Sequence, residues 1–379
     1  MGLRSRRPDA SRAATVAAVT ACVDQHASEW FPEAGNGPVT VHQLTDTRRS
    51  QLFAVHVGGD PAGIPQIIAK RRLRHTASGA GSRGTRPTLS NDRLSEDELT
   101  AFEYRGLASI FNAFGTEDGR FRAIRPLAHL QEHDTILMEF VPGTTLKKLL
   151  VRESRFAAGR TVPRAGEDTW CGVGAWLRTY QRATPPDGRP SRQSSREEVV
   201  QQIAAYDRFL APRVGLARWG ELGRRAQSLA EESLPAQLAL AAGHGDFAPR
   251  NVQLGLDGRI TVFDPLVRWA VPAQEDLCRF LVGMRLLGLQ VHTGGAAFAR
   301  SAVERREEAV VHGYYGDQVP WRALRAFELM VLLDKWSALA DLPSIGPRNR
   351  ARRLSLSLAG GYLLEQAVAL VRLAESADR

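Results

Sequence analysis

An α+β chain of two lobes, a small antiparallel sheet followed by a large and mostly helical body, is the fold class predicted by three observations. Residues 39–73 hold three short runs rich in β-branched or aromatic residues, separated by polar turns. The apolar run 136–141 ends at Pro142-Gly143, a break suited to a hinge. Beyond it, apart from one hairpin signal at Asp257-Gly258, apolar residues recur at helical spacing almost to the last residue.

The three runs are residues 39–44, 52–57 and 65–73. Residues 1–38 form a helical extension before them, with an apolar stretch at 13–23. Ser5-Arg6-Arg7 in front of that stretch imitates an export signal, but Pro8 and Asp9 stand where such a signal needs apolar residues, so a surface helix is expected. Residues 75–92, rich in Ser, Gly, Thr and Arg, read as a weakly ordered loop. Ser95 and Glu98 then have capping-box spacing at the head of a helix whose apolar face runs through Leu99, Phe102, Leu107, Ile110 and Phe111. The first lobe is thus residues 39–141 and the second 142–379. Within the second, 146–240 reads as a helical insert, with helices at 146–150, 170–183 and 197–210 and a linker at 185–195.

Composition narrows the function. The chain has 379 residues, 43% hydrophobic content and a net charge of +9, yet only four lysines, at Lys70, Lys147, Lys148 and Lys335. Its many arginines are spread along the chain and interleaved with acids, so no nucleic-acid partner is expected. Cys22, Cys171 and Cys278 lie too far apart to suggest a disulfide framework or a thiolate metal site, which fits a cytoplasmic setting. No run of about 18 apolar residues is present, so no membrane span is expected.

The chemistry is concentrated between His244 and Asp264. If Asp257 and Gly258 are the centre of a two-residue turn, Asn251 stands directly across from Asp264, with Cβ atoms about 5 Å apart. An amide oxygen and a carboxylate in that arrangement suit magnesium, which takes hard oxygen ligands alongside phosphate and water. Asp246, five residues before Asn251, has the reach to orient the proton of an attacking hydroxyl. Singly, each of these residues has an ordinary turn or strand-end role; the combination is what points to a site.

His244-Gly245-Asp246, with Asn251 five residues on, and Val262-Phe263-Asp264 resemble the catalytic loop and metal-binding strand of the aminoglycoside phosphotransferase and choline kinase family, a branch of the protein-kinase-like fold. The resemblance implies a bilobal kinase-like architecture, ATP or another nucleoside triphosphate as phosphoryl donor, and Mg2+. It implies that Asp246 is catalytic and that Asn251 and Asp264 hold the metal. Lys70, in Ile67-Ile-Ala-Lys70 on the third strand, takes the place of the lysine that binds the α- and β-phosphates, and Glu103 that of its helical partner. The adenine maps onto the backbone of Glu139 to Val141. The nucleotide loop maps onto residues 45–51, which lack glycine, leaving backbone amides, Ser50, Arg48 or Arg49 to meet phosphate. Asp276 is expected to brace the catalytic loop from beneath, and His244 to organise it.

For the acceptor, residues 143–240 carry 16 Lys plus Arg against 10 Asp plus Glu. That excess disfavours a polycationic aminoglycoside and suits a small-molecule hydroxyl substrate that is neutral or anionic, of the sugar or polyol type. The competing readings are an antibiotic-inactivating phosphotransferase acting on a less cationic drug and a nucleotide-binding regulatory protein without turnover. The sequence leaves the oligomeric state open.

Overall fold

The computed structural model describes residues 10–34, 37–47, 50–58, 63–73, 86–89, 96–115, 119–156, 165–186, 188–214, 216–341 and 350–376. Ser95, Arg48, Arg49 and most of the 75–92 stretch lie outside them. In chain order the first elements are α1 (Ala10–Trp30), β1 (Val39–Asp46), β2 (Ser50–Val57), β3 (Ile67–Arg72), α2 (Glu96–Phe114), β4 (Phe121–Arg122), β5 (Pro126–Leu130) and β6 (Thr135–Glu139). Then come β7 (Gly143–Thr145), α3 (Leu146–Arg152), α4 (Glu167–Ala183), α5 (Arg196–Val214) and α6 (Leu216–Ser233). The remainder is β8 (Leu240–Ala242), β9 (Val252–Gly255), β10 (Ile260–Val262), β11 (Ala270–Pro272), α7 (Gln274–Arg285), α8 (Gly288–His292), α9 (Arg300–Tyr315), α10 (Trp321–Ala340) and α11 (Arg350–Ser376).

The chain divides into two compact units, one of residues 1–81, 93–116 and 123–142, the other of 82–92, 117–122 and 143–379. The first is built on an antiparallel sheet of order β1-β2-β3-β6-β5. Because side chains alternate along a strand, the row Phe53, Ala69 and Leu137 lies on one face and the row Leu52, Lys70 and Ile136 on the other. Val19, Val23 and Trp30 of α1 pack on the first face with Phe53, Val55, Val57, Ile67, Ala69 and Leu137. The N-terminal helix is therefore part of the first unit's core rather than an appendage. Lys70 and its partner Glu103 of α2 occupy the other face.

In the second unit α10 is the central helix, packed against α5, α6, α7 and α11. Every residue from Ala326 to Leu333 is at most 1% exposed, the pattern of a helix apolar all round. Glu328 and Asp334 are its buried acids, matched by Arg325 at 2.5 Å and by the Tyr206 hydroxyl at 3.0 Å.

Two segments expected to be loose are tied down. Arg86–Leu89 belongs to the second unit, with the Leu89 amide donating to Asp334 Oδ1 at 3.2 Å and Arg86 Nη1 to Ser337 Oγ at 3.1 Å. The 185–195 stretch pairs with β11 through Ala270 N to Pro190 O (3.0 Å) and Arg192 N to Ala270 O (3.1 Å). Its Pro, Gly and Ser content hides this, because the pairing uses backbone groups and shows no apolar alternation.

Helices α4 and α9 cross at two glycines. A Cβ on Gly174 would run into the Val310 carbonyl oxygen, and one on Gly313 into that of Cys171. Backbone cannot give way as a side-chain tip can, so Gly174→Ala is expected to destabilise the fold by about 3 kcal/mol. Gly361→Ala on α11, where a Cβ meets nothing within 4 Å, is expected to stabilise by up to about 1 kcal/mol. Denaturant unfolding of the two variants checks both signs.

Candidate active site

The segment Gly243 to Asn251 has no regular structure, and neighbouring elements give it one conformation. Asp276, in the first turn of α7, accepts two consecutive backbone N–H groups, from His244 at 2.5 Å and from Gly245 at 3.1 Å. Gly245 takes φ 81°, and a Cβ there would stand 2.8 Å from the Leu266 carbonyl oxygen, so conformation and space both require glycine. On the other side Leu266 N donates to His244 O at 2.7 Å, and Gly243 N to Trp269 O at 3.0 Å. The Lys147 amide at the head of α3 holds Pro249 O at 2.8 Å.

Asp246 is the polar focus of this loop. Its Oδ2 accepts Asn251 Nδ2 at 2.8 Å, and the same Nδ2 reaches the Asp246 carbonyl oxygen at 2.9 Å. Arg250 pairs with its Oδ1. With Nδ2 committed to Asp246, the Asn251 amide directs Oδ1 the other way, which leaves a hard oxygen donor at a residue 3% exposed.

The hairpin differs from expectation by one residue. The pairs are Val252↔Val262, Gln253↔Thr261 and Leu254↔Ile260, so Asn251 stands opposite Phe263, whose N–H donates to Asn251 O at 3.0 Å. The loop has three residues, Leu256 to Gly258, because Asp257 does not adopt the positive φ a two-residue turn demands. Instead its Oδ1 accepts Arg259 N at 3.0 Å, and only Gly258, at φ 78°, is left-handed. Asp264 therefore lies one residue beyond the ladder and is itself left-handed, at φ 58°. The chain turns there, which brings Leu266 back to His244.

His244 is fully buried among Trp176, Tyr180 and Phe247, whose rings meet it edge to face at centroid distances of 6.2, 6.4 and 5.8 Å. Burial pushes its pKa down to about 4, against the opposing influence of Asp246 and Asp264, which places both carboxylates in its electrostatic surroundings. Its Nδ1 faces the Asp246 N–H at 3.4 Å, so the neutral ring carries its proton on Nε2. Asp276, 1% exposed, is raised to about 6 by burial and by Glu275, offset by Arg279 and the two amides. It remains a carboxylate at neutral pH.

In the first unit, Lys70 Nζ meets Glu103 Oε1 at 2.7 Å. Arg72, two residues along the same strand face, holds Glu103 Oε2 at 2.5 Å. Glu139 ends β6, its N–H bonded to Arg125 O at 2.9 Å, and Val141 follows it, buried. The Ser50 amide donates to Thr47 Oγ1 at 3.0 Å, and its carbonyl oxygen accepts the Thr47 amide at 2.9 Å. Backbone and side chain of Ser50 are thus both engaged within the turn, its hydroxyl lying 3.3 Å from Thr47 Oγ1, so a phosphate would have to displace that contact.

Sequence reasoning overlooked Arg72, Arg250 and the aromatic wall around His244. Arg72 sits at i+2 from Lys70 on a strand, the spacing of a shared face, and Arg250 at i+4 from Asp246. Trp176 and Tyr180 are four apart on α4, so they share a helix face. Among the described residues no three His, Cys, Asp or Glu side chains converge as a metal site. A magnesium held by one amide, one carboxylate and nucleotide phosphates requires no such cluster, so Asn251 and Asp264 fit that ion in donor type.

Comparison with known proteins bears on the family and the fold. Residues 92–266 match the model of the phosphotransferase enzyme family, APH. This chain is a phosphotransferase of the protein-kinase-like fold. Phosphotransfer to an alcohol group is its reaction class. Among solved structures it resembles choline kinase from Cryptosporidium parvum Iowa II, at 11% identity over 93% of this chain and 94% of that one, TM-score 0.53. It also resembles a glucosamine kinase (14%, covering 96% and 88%, TM-score 0.51) and the GDP and kanamycin complex of APH(2")-IIia (13%, covering 93% and 98%, TM-score 0.51). At these identities the likeness is one of fold. A search of the curated proteins finds none that matches. No helix among the described residues is long and apolar enough to cross a membrane.

The histidine gives this phosphotransferase a testable pH response. An unfolded imidazole protonates near pH 6.5, whereas His244 in the fold resists protonation to about pH 4. Its contribution to stability is full above pH 6.5 and is lost as pH falls towards 4, because the unfolded state takes up the proton first; the loss is on the order of 3 kcal/mol. Asp276 contributes with the opposite sign, since its raised pKa favours the protonated fold. Comparing wild type with His244→Asn removes that term: the stability gap between them is expected to narrow on acidification. In the native protein, the His244 ring nitrogens are expected to titrate by NMR near pH 4.

Proposed function

We propose that this phosphotransferase moves the γ-phosphoryl group of ATP to a hydroxyl of a neutral or anionic small molecule. The observation that carries the reading is the Asp246 carboxylate, held by Asn251 and Arg250 on a loop whose backbone is pinned by Asp276. A carboxylate so fixed can accept the acceptor's hydroxyl proton while the oxygen attacks phosphorus. The bond from the γ-phosphorus to the bridging oxygen breaks as the new P–O bond forms, ADP leaves, and the proton passes from Asp246 to solvent.

The other residues bind and orient. Lys70, kept in place by Glu103, takes the α- and β-phosphates, with the Ser50 hydroxyl as a further donor near the β1–β2 turn. The backbone of Glu139 and Val141 meets the adenine. Asn251 and the Asp264 carboxylate would hold Mg2+, which would neutralise charge on the phosphates. Asp276 and His244 set the loop's conformation without touching substrate. The excess of basic residues between 143 and 240 argues against a polycationic acceptor. Use of ATP and the unpaired cysteines suit a cytoplasmic enzyme.

Acceptor-stimulated ADP release from a panel of sugars, polyols, hydroxy acids and antibiotics tests this. Asp246→Asn is expected to lower kcat by about 10²- to 10⁴-fold with nucleotide affinity retained, and Asn251→Ala to raise the magnesium concentration needed for half-maximal rate. Release that is indifferent both to every acceptor and to Asp246→Asn would remove phosphotransfer from consideration.

A further inference from the structure

Of the chain's four lysines, two line one cavity. It has a volume of about 330 Å³ and is bounded by Ala248, Pro249 and Arg250 of the catalytic loop, with Lys147 and Lys335. Leu286, Leu339 and other apolar side chains of the helices behind the loop form the rest of its wall, and among the described residues no Asp or Glu contributes to it. A larger cavity around Trp170 has Glu153, Glu167, Asp168 and Glu308 among its arginines and touches no residue of the catalytic loop. Of these two cavities, the smaller one joins a basic wall to the reacting carboxylate.

That connection is direct. Arg250 lines the cavity and at the same time pairs with Asp246, so the cavity lies within one arginine side chain of the proposed base. Lys335 is poorly neutralised. Its ion pair with Asp334 is long, 3.9 Å, and Asp334 already accepts Tyr206 and the Leu89 amide. Although 44% of the Lys335 side chain is exposed, burial of its remainder and the charge of Arg279 push its pKa below the ordinary lysine value. A bound anion would relieve both effects. The interaction is stronger beside apolar walls than in open solvent, because those walls exclude screening water.

We propose that this cavity receives the phosphoryl acceptor, and that the acceptor joins an apolar body to an anionic group, a carboxylate or phosphate monoester, held by Lys335 and Lys147. Its hydroxyl then faces Asp246. This rests on the phosphotransfer reading above and narrows it from neutral or anionic hydroxyl compounds to amphiphilic anionic ones.

The small number of lysines makes the site directly observable. With 15N-labelled lysine, the Nζ signals, assigned by single Lys→Arg variants, can be followed as 4-(hydroxymethyl)benzoate or its neutral amide is added without nucleotide. The expected result is movement of the Lys335 and Lys147 signals with the carboxylate and not with the amide. Equal movement with both probes, or none with the carboxylate, overturns the proposal. In turnover with ATP, Lys335→Gln is expected to raise KM for the carboxylate about tenfold while kcat stays within twofold, and Lys335→Arg to restore most of the loss. A fall in kcat alike for both probes would instead assign the lysine to the transferring phosphoryl group and overturn the proposal. The two readings fail separately. Lysine signals that respond to the anion without any turnover sustain the anion site and sink phosphotransfer; turnover of neutral acceptors unaffected by Lys335→Gln does the reverse.

Discussion

The candidate site depends on one carboxylate that touches no substrate in the proposed reaction. Asp276 takes the N–H groups of His244 and Gly245 together, and two donors from consecutive residues fix the intervening peptide plane. Gly245 must then turn left-handed, Asp246 is presented on the far side, and the His244 carbonyl oxygen is left for Leu266. A buried charge is costly unless hydrogen-bonded and matched. Here the two amides and Arg279 meet that need, and Glu275, which raises the Asp276 pKa, is itself held by Arg192 and Arg279 at 2.6 and 2.8 Å. Arg192 comes from the 185–195 stretch, so a segment that reads as a linker helps to neutralise the acid beside the one supporting the loop.

The neutrality of His244 belongs to the same arrangement. A protonated imidazole at that position would add a fully buried cation whose Nε2–H meets no acceptor among the described residues, and burial outweighs the influence of Asp246 and Asp264. Kept neutral, with Nδ1 towards the Asp246 amide, the ring acts as a rigid peg between α4 and the loop. Its place beside the proposed catalytic aspartate suggests proton transfer, yet its burial and its pKa of about 4 argue for a structural task.

Much of this was legible because it was carried by local rules. Strand and helix patterns marked the elements, and the resemblance to the kinase family picked out Lys70 and Glu103 on them; the strand register then puts Lys70 and the apolar core on opposite faces. The hairpin shows where such rules stop. Asp257-Gly258 marks a turn, but whether it takes two residues or three depends on whether Asp257 accepts a positive φ, and its side chain stabilised the alternative by bonding to Arg259. One residue of difference moved Asn251 from Asp264 to Phe263. The anchoring of Arg86–Leu89 on α10 and the pairing of 185–195 with β11 were not legible, because they use backbone amides and partners far away in sequence. The cavity at Lys335 was illegible for the same reason, since Lys147, Arg250 and Lys335 have nothing in common until the helices pack.

Glu103 brings these strands of argument together. A single lysine–glutamate pair would tie the glutamate's position to the lysine: once Lys70 turned to phosphates, a fully buried carboxylate would lose much of its compensation. Arg72 alters that balance. It keeps its own hold on Oε2 at 2.5 Å, and its Nε lies 3.1 Å from the same oxygen, so Glu103 stays neutralised and oriented while Lys70 shares its ammonium with a ligand. With two cations on one carboxylate, one can keep hold of it while the other turns to an anionic guest. The proposed phosphate site of the first unit thus uses the same device seen at Asp276, a buried acid whose charge is matched by more than one partner, so that its position does not depend on any single one.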